Sequence, residues 1–313
     1  MPRLVKDQDG KAKRSSRQPA GPDLGSAAGQ GRLLFNRYSL PLEAELHRLV
    51  PATDTSLLGR AMRHALFPPG KRIRPLLCIA AYRACRGARL RTILPFAAGI
   101  ELIHNFSLIQ DDLPCMDDDA LRRGRPSLHV AFGEAVALLA SDAMFSLAFE
   151  LFAGSDASPA RRSRAIQEVA RSIGSQGIVE GQLNDIDRAK SRDARTLRRI
   201  HCLKTARLIA ACFSVGAIIA GADGLTTGGL TRAGLFLGML FQVTDDLLDE
   251  GQASDRAGAL TYLRYYGRRG AQFRALGYRV RYEAELARLG GRITPTGLRE
   301  LKQVGSLVLE RHA

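Results

Sequence analysis

The chain has 313 residues, 45% of them hydrophobic, with no Trp and 6% aromatics. That apolar content, rich in Ala, Leu and Arg, excludes a disordered chain and favours helix over sheet, and no composition shift after residue 35 divides it into domains. The formal charge of +15 fits either a basic solvated surface or a polyanionic partner, and charge by itself speaks to association and not to fold.

Residues 1–32 are rich in Gly, Ser, Pro, Lys and Arg and read as a disordered basic tail without the apolar stretch of a secretory signal. Helices follow over about 33–49, stopping before Pro51, and over about 56–66. Phe67-Pro68-Pro69-Gly70 is a turn. Lys71-Arg72-Ile73-Arg74-Pro75 then opens a helix to about Ala84, with Pro75 in its first turn. The next helix, about 92–112, is apolar at Phe96, Ile100, Ile103, Phe106 and Leu108 and is interrupted by Pro114. One long helix is expected from about 126 to 153, with others over about 161–173 and 176–187. Residues 195–220 read as a single helix whose most apolar run, Leu208 to Ala220, is too short to span a membrane. A helix over 230–249, a loop over 250–259, and helices over about 261–286 and 296–311 finish the chain. With no convincing strand pair, the fold class is all-α, a single large helical bundle over 33–313 with a central active-site cavity. The five cysteines form no CxxC pair and read as reduced, cytosolic thiols, which sets the expected location as cytoplasmic.

Two acidic clusters about 130 positions apart carry the chemistry. The first contains Asp111, Asp112, Asp117, Asp118 and Asp119; the second contains Asp245, Asp246 and Asp249. Both follow apolar helical stretches, where ionised side chains are costly unless paired or metal-bound. Asp245 and Asp249 are four apart and share a helix face. Asp111 and Asp117 are six apart, about 120° in azimuth on an ideal helix, so Pro114 must bend the chain for them to meet. Helix capping by Asp117 to Asp119 is the plain alternative, but it leaves Asp111 and Asp112 at the unfavourable negative end of a helix. Carboxylates facing one another across a bundle form a hard oxygen site suited to Mg²⁺ shared with substrate phosphates. Arg122, Arg123 and Arg125 follow the first cluster, and Lys71, Arg72 and Arg74 form a second basic group. Beside a Mg²⁺ cage, these groups point to two phosphorylated substrates.

These segments stand together with Glu101 to Gln110, Gly181-Gln182-Leu183-Asn184-Asp185, Lys204-Thr205 and Phe241-Gln242. In this order they resemble the short-chain trans-isoprenyl diphosphate synthases, of the farnesyl and geranylgeranyl diphosphate synthase type. The resemblance covers roughly residues 33–313. It implies an isoprenoid-synthase fold and a Mg²⁺-dependent transfer joining isopentenyl diphosphate to an allylic diphosphate of C5, C10 or C15. It implies Asp111, Asp117 and Asp245 as metal ligands, with Asp112 beside them. It implies Asp112, Asp185 and Asp249 as residues that orient ligands or metal-bound waters. It implies Arg122, Lys204 and Gln242 lining the allylic diphosphate site, with Thr205 close by. It implies Lys71, Arg74, His104 and Arg123 holding isopentenyl diphosphate, and Gln182 among the substrate-binding residues. His104 taken alone reads equally well as a core histidine. The resemblance further implies a homodimer, with no nucleic-acid partner and no stable membrane insertion.

The chain departs from the family pattern after Asp249. The loop 250–257 is short and contains no Lys, and Ala259 stands where the family usually carries Lys. A catalytically weakened or regulatory homologue is therefore the alternative function. Phe106, five positions before Asp111, is a bulky floor for a product tunnel and sets the expectation of mainly C15 product, with C20 as the alternative.

Overall fold

The computed structural model of the chain describes residues 27–67, 70–187, 193–248 and 261–309, with side chains between residues 37 and 303 of these. Most of the expected tail, the turn prolines Pro68 and Pro69, Asp249, Ala259 and the loop between them lie outside the described residues.

Helix α1 (Ala27–Leu49) begins ahead of its expected start and carries Pro41 inside it. Tyr38, Leu42, Leu46 and Val50 are buried at four-residue spacing and fix its inward face. In α2 (Leu57–Leu66) the Ser56 hydroxyl accepts from Gly59 N–H at 3.0 Å and caps the helix. Helices α3 (Ile73–Ala84) and α4 (Leu90–Asp111) are apolar nearly all round, as expected for helices inside a bundle.

Two differences from the sequence reading follow α4. A short antiparallel hairpin, β1 (Leu121–Arg122) with β2 (Arg125–Pro126), stands where no strand pair was expected. The expected long helix over 126–153 is two helices, α5 (Leu128–Phe132) and α6 (Glu134–Gly154). They break at Gly133, whose φ of +87° lies in a region that only glycine enters at low cost.

Helices α7 (Pro159–Ile173) and α8 (Ile178–Ile186) lead to α9 (Ala194–His201). The chain then makes one π-helical turn, Cys202–Ala206, before α10 (Arg207–Ala220). A π turn inside a long helix is rare and is frequently found at functional sites. Helix α11 (Gly224–Leu248) carries the second acidic cluster. Helix α12 (Tyr262–Arg288) is kinked at Gly267, and α13 (Pro295–Leu309) closes the chain.

Helix α10 is central, packed against α3, α7 and α11, while α4 packs on α6 and α11 on α12. Phe96, Phe152, Phe213, Tyr262 and Tyr282 are the largest fully buried side chains. Each buried side chain of this kind contributes on the order of 2–3 kcal/mol of transfer free energy. Among the described residues, three helical stretches, Leu90–Asp111, Glu134–Gly154 and Ala194–Ala220, are long and apolar enough to cross a membrane by length and composition. The first and third are largely buried inside the bundle, whereas much of α6 is on the outside.

Two close backbone approaches position the site. A Cβ on Gly238 of α11 would come within 2.5 Å of Ala206 Cα, and one on Gly181 of α8 within 2.4 Å of Lys204 N. Glycine at both places lets two helices lie directly against the π turn. Gly238→Ala is therefore expected to push α11 outward, at a cost of about 1–3 kcal/mol from overpacking. Thermal unfolding should show a lowered Tm, and an unchanged Tm would contradict this packing.

Candidate active site

Helix α4 stops at Asp111 because Pro114 cannot continue it. The chain then doubles back. Asp117 N–H donates to the Asp111 carbonyl at 2.9 Å, and Met116 and Asp118 N–H both donate to the Leu113 carbonyl. Asp118 takes a left-handed φ of +53° to complete the turn. This reversal, and not a kinked helix, brings Asp117 back to Asp111. The next element is the hairpin, so Asp117 to Asp119 cap no helix.

The π turn faces this reversal. Lys204 Nζ lies 2.8 Å from Asp185 Oδ2 and 3.9 Å from Asp117 Oδ2. Burial works against the Lys204 charge, but Asp111, Asp185 and Asp117 outweigh it and raise its pKa above the ordinary value. Asp111 behaves in the opposite way. Burial pushes its carboxyl up to about 6, Lys204 pulls it down, and neighbouring Asp117 and Asp112 push it further up.

Asp112 is turned away from this group. Arg122 Nε donates to both of its oxygens, at 3.0 and 3.1 Å, and a second Arg122 nitrogen also reaches it and Asp119. Asp112 is thus held in an ion pair and does not face Asp111. Consecutive residues at a helix end point to different sides.

The second basic group also divides. Arg72 is buried and bridges Glu101 at 2.7 Å and Glu43 at 2.8 Å, and it donates to the Leu66 carbonyl. It is a strut between α1, α2 and α4 and not a free anion binder, because its left-handed φ of +49° turns it inward. Arg74 faces the cavity instead. It donates to His104 Nε2 at 3.1 Å, and its own Nε is buried without a hydrogen-bond partner. Burial, followed by the charges of Arg74, Arg123, Arg122 and Arg72, drives the His104 pKa well below its ordinary value. His104 is therefore neutral, with Nε2 accepting from Arg74 and the proton on Nδ1.

A cavity of about 810 Å³ collects Lys71, Arg74, His104 and Arg123 on one side. Arg122, Thr205, Gln242 and Asp245 line it as well. A second cavity of about 250 Å³ is lined by Phe106, Ser107, Asp111, Met116 and Gln182. The whole Gln182 amide is buried there without a hydrogen-bond partner. The rings of Phe106, Phe145, Phe149 and Phe152 follow one another in tilted and edge-on contacts, with centroids 5.0 to 5.6 Å apart.

Asp246 is a site residue that the sequence reading passed over. Thr205 Oγ1 donates to Gln242 Oε1 at 2.9 Å, and Gln242 Nε2 donates to Asp246 Oδ1 at 3.0 Å. Asp246 Oδ2 accepts from Tyr262 N–H at 2.6 Å. This chain of bonds fixes the Gln242 amide and ties the start of α12 to the cavity. The four-residue spacing of Gln242 and Asp246 on one helix was the available sign.

The polyprenyl synthetase family model matches residues 55–259. This chain belongs to the polyprenyl synthetase family. Geranylgeranyl pyrophosphate synthase 4 of Arabidopsis thaliana is 39% identical over 71% of this chain and 63% of its own length. The chloroplastic geranylgeranyl pyrophosphate synthase 7 of the same plant is 47% identical over 64% of this chain and 59% of its own. The chain thus spans about three-fifths of the length of these relatives. Among solved structures, an FPP/GFPP synthase of Zymomonas mobilis superposes with a TM-score of 0.80 at 30% identity. That superposition covers 90% of this chain and 99% of the other. The family assignment and the helical architecture agree with the sequence reading of fold.

The raised Asp111 pKa yields a prediction with a definite sign. The folded state holds this proton up to about pH 6, whereas an unfolded Asp releases it near 3.8. The charge thus weakens the metal-free fold as pH rises through this window, by up to about 3 kcal/mol. Asp111→Asn should raise the Tm of the metal-free protein at pH 7.5, and the gain should vanish by about pH 4. A gain that persists at pH 4 would contradict the burial account.

Proposed function

We propose that this polyprenyl synthetase is a trans-prenyltransferase that condenses isopentenyl diphosphate with an allylic diphosphate, giving farnesyl or geranylgeranyl diphosphate. The observation that carries this reading is one cavity in which Lys71, Arg74, Arg122 and Arg123 gather with Asp245, alongside a largely apolar cavity lined by Phe106 and Asp111. The names of the relatives and the family assignment support it. The intact carboxylates favour it over a regulatory homologue.

The donor set fits Mg²⁺. Asp111, Asp117 and Asp245 offer hard oxygen donors, and the buried Asp111 carboxyl lacks enough positive charge to ionise at its ordinary pKa. Among the described residues, no three such side chains already converge on one point. Diphosphate oxygens would therefore complete the coordination, as Mg²⁺ sites commonly require. When bound there, Mg²⁺ supplies Lewis-acid stabilisation of the departing diphosphate.

The chain's own residues account for the remaining steps. Lys204, Gln242 and Thr205 hold the allylic diphosphate at the π turn. Arg122 stays beside it through Asp112. Lys71, Arg74 and Arg123 bind isopentenyl diphosphate, and neutral His104 aims Arg74. The two substrates are thereby held in line. As the allylic C–O bond breaks and diphosphate leaves, the double bond of the other substrate joins the cationic carbon. The resulting cation loses a proton to the released diphosphate to form the product's new double bond. Burial excludes water that would quench the cationic carbon. The growing chain enters the cavity that Phe106 lines, with Phe106 as its floor and the Phe145 ring packed behind it. The expectation of mainly C15 product rests on Phe106, while the relatives' names favour C20. Leu138 and Leu139 are exposed on α6 and favour burial against a second copy, which supports a homodimer. Reduced thiols support a cytoplasmic location.

The test is turnover of isopentenyl diphosphate with each allylic diphosphate in Mg²⁺. Wild type should yield C15 or C20 product, and Asp245→Ala should lose about a hundred- to a thousandfold in kcat/KM, a loss typical of removing a transition-state charge stabiliser. Phe106→Ala should lengthen the product by at least one C5 unit. Absence of prenyl transfer in the wild type overturns the reading. An unchanged product distribution removes Phe106 as the floor.

A further inference from the structure

Helix α12 exposes an apolar stripe that no part of the catalytic reading uses. Phe273, Leu276 and Val280 are 76%, 54% and 57% exposed. At 3.6 residues per turn they fall within about 60° of one another on the helix. Isolated apolar side chains on a surface need no explanation, but a contiguous stripe of this kind marks an interaction face. Between Arg268 and Arg288 the same helix carries six arginines and two glutamates. Arg268, Arg269 and Arg281 are exposed around the stripe. Glu285 is buried and holds Arg232 and Arg288, and Glu283 holds Arg279. The outward charge of this face is therefore strongly positive.

The candidate occupants differ in charge. A second copy meeting this face symmetrically would set the same arginines against each other. The chain's own residues 1–26 hold six Lys and Arg and three Asp, so they repel the face as well. An anionic lipid surface is complementary in both respects. Aromatic and aliphatic side chains on a helical ridge reach the acyl boundary while flanking arginines extend to the phosphates.

We propose that the outer face of α12 is a peripheral docking surface for anionic bilayers, lying on the membrane and not crossing it. It stands on the surface residues alone, independent of the prenyl-transfer reading. The expected energetics are a modest contribution from each arginine near the surface, screened by salt, plus burial of the apolar stripe.

The test is co-sedimentation of the full chain with phosphatidylserine–phosphatidylcholine vesicles and with phosphatidylcholine vesicles alone. The expected result is at least about tenfold tighter binding to the anionic vesicles at low salt, weakening as salt is added. Phe273→Asp combined with Leu276→Asp should remove most of that binding while leaving the circular-dichroism melt and prenyl transfer unchanged. Arg269→Glu combined with Arg281→Glu should do the same. Equal binding to both vesicles, or full binding by the Phe273/Leu276 variant, overturns the proposal. A fall in oligomeric mass on light scattering of that variant would also overturn it, by giving the face to a second copy. Loss of an acidic protein partner with vesicle binding unchanged would give the face to that partner.

Discussion

An ionised carboxylate at the apolar mouth of a helix bundle needs a cation within a few ångströms, because burial otherwise drives it to bind a proton. This chain places several aspartates there, and the arrangement of cations around them governs the rest of the site. Arg122 takes Asp112. Lys204 takes Asp185 and leans toward Asp117. Asp111 receives only part of the Lys204 charge and holds its proton up to about pH 6. The site is thus short of positive charge on the carboxylate side. It carries an excess on the other, where Lys71, Arg74 and Arg123 line the cavity. On the proposed reading, a divalent cation would offset the first imbalance and a diphosphate the second, so the two ligands would complement each other.

The backbone serves this electrostatic arrangement. Lys204 and Thr205 sit on a π turn, which offsets them from the regular path of the flanking helices. Gly181 and Gly238 let α8 and α11 approach that turn so closely that any side chain there would collide with backbone. The hydrogen-bond chain from Thr205 through Gln242 and Asp246 to Tyr262 then fixes the opposite wall. Because Asp246 also holds the first residue of α12, the same carboxylate links the cavity to the helix that bears the exposed basic face.

Much of this was legible in the sequence, for identifiable physical reasons. Apolar periodicity and proline breaks gave most helices to within a few residues, and Pro114 marked the end of α4. Spacing and residue type located the acidic clusters and the basic segments beside them. Periodicity could not show that Gly133 breaks an apolar run, since the hydrophobic pattern continues across it. Nor does the stretch Cys202–Ala206 differ in composition from an ordinary helix, so the π turn had no local sign. The two-residue strands are too short to have a pattern. The division of Arg72 from Arg74 depends on a left-handed backbone at Arg72 and on Glu43 and Glu101, which are distant in sequence. The division of Asp112 from Asp111 is legible in the sequence, because neighbouring residues on a helix do not share a face.

The central claim is that the carboxylate side and the cationic side are completed together by a divalent cation and a diphosphate. Thermal unfolding with inorganic pyrophosphate, in Mg²⁺ and in excess chelator, tests it directly, since a ligand that binds only the folded state raises Tm. A large rise in Tm with pyrophosphate and Mg²⁺ together, and a much smaller one with either alone, is the predicted result. An equal rise with pyrophosphate in chelator would mean that the cationic residues bind the diphosphate unaided and would contradict the account.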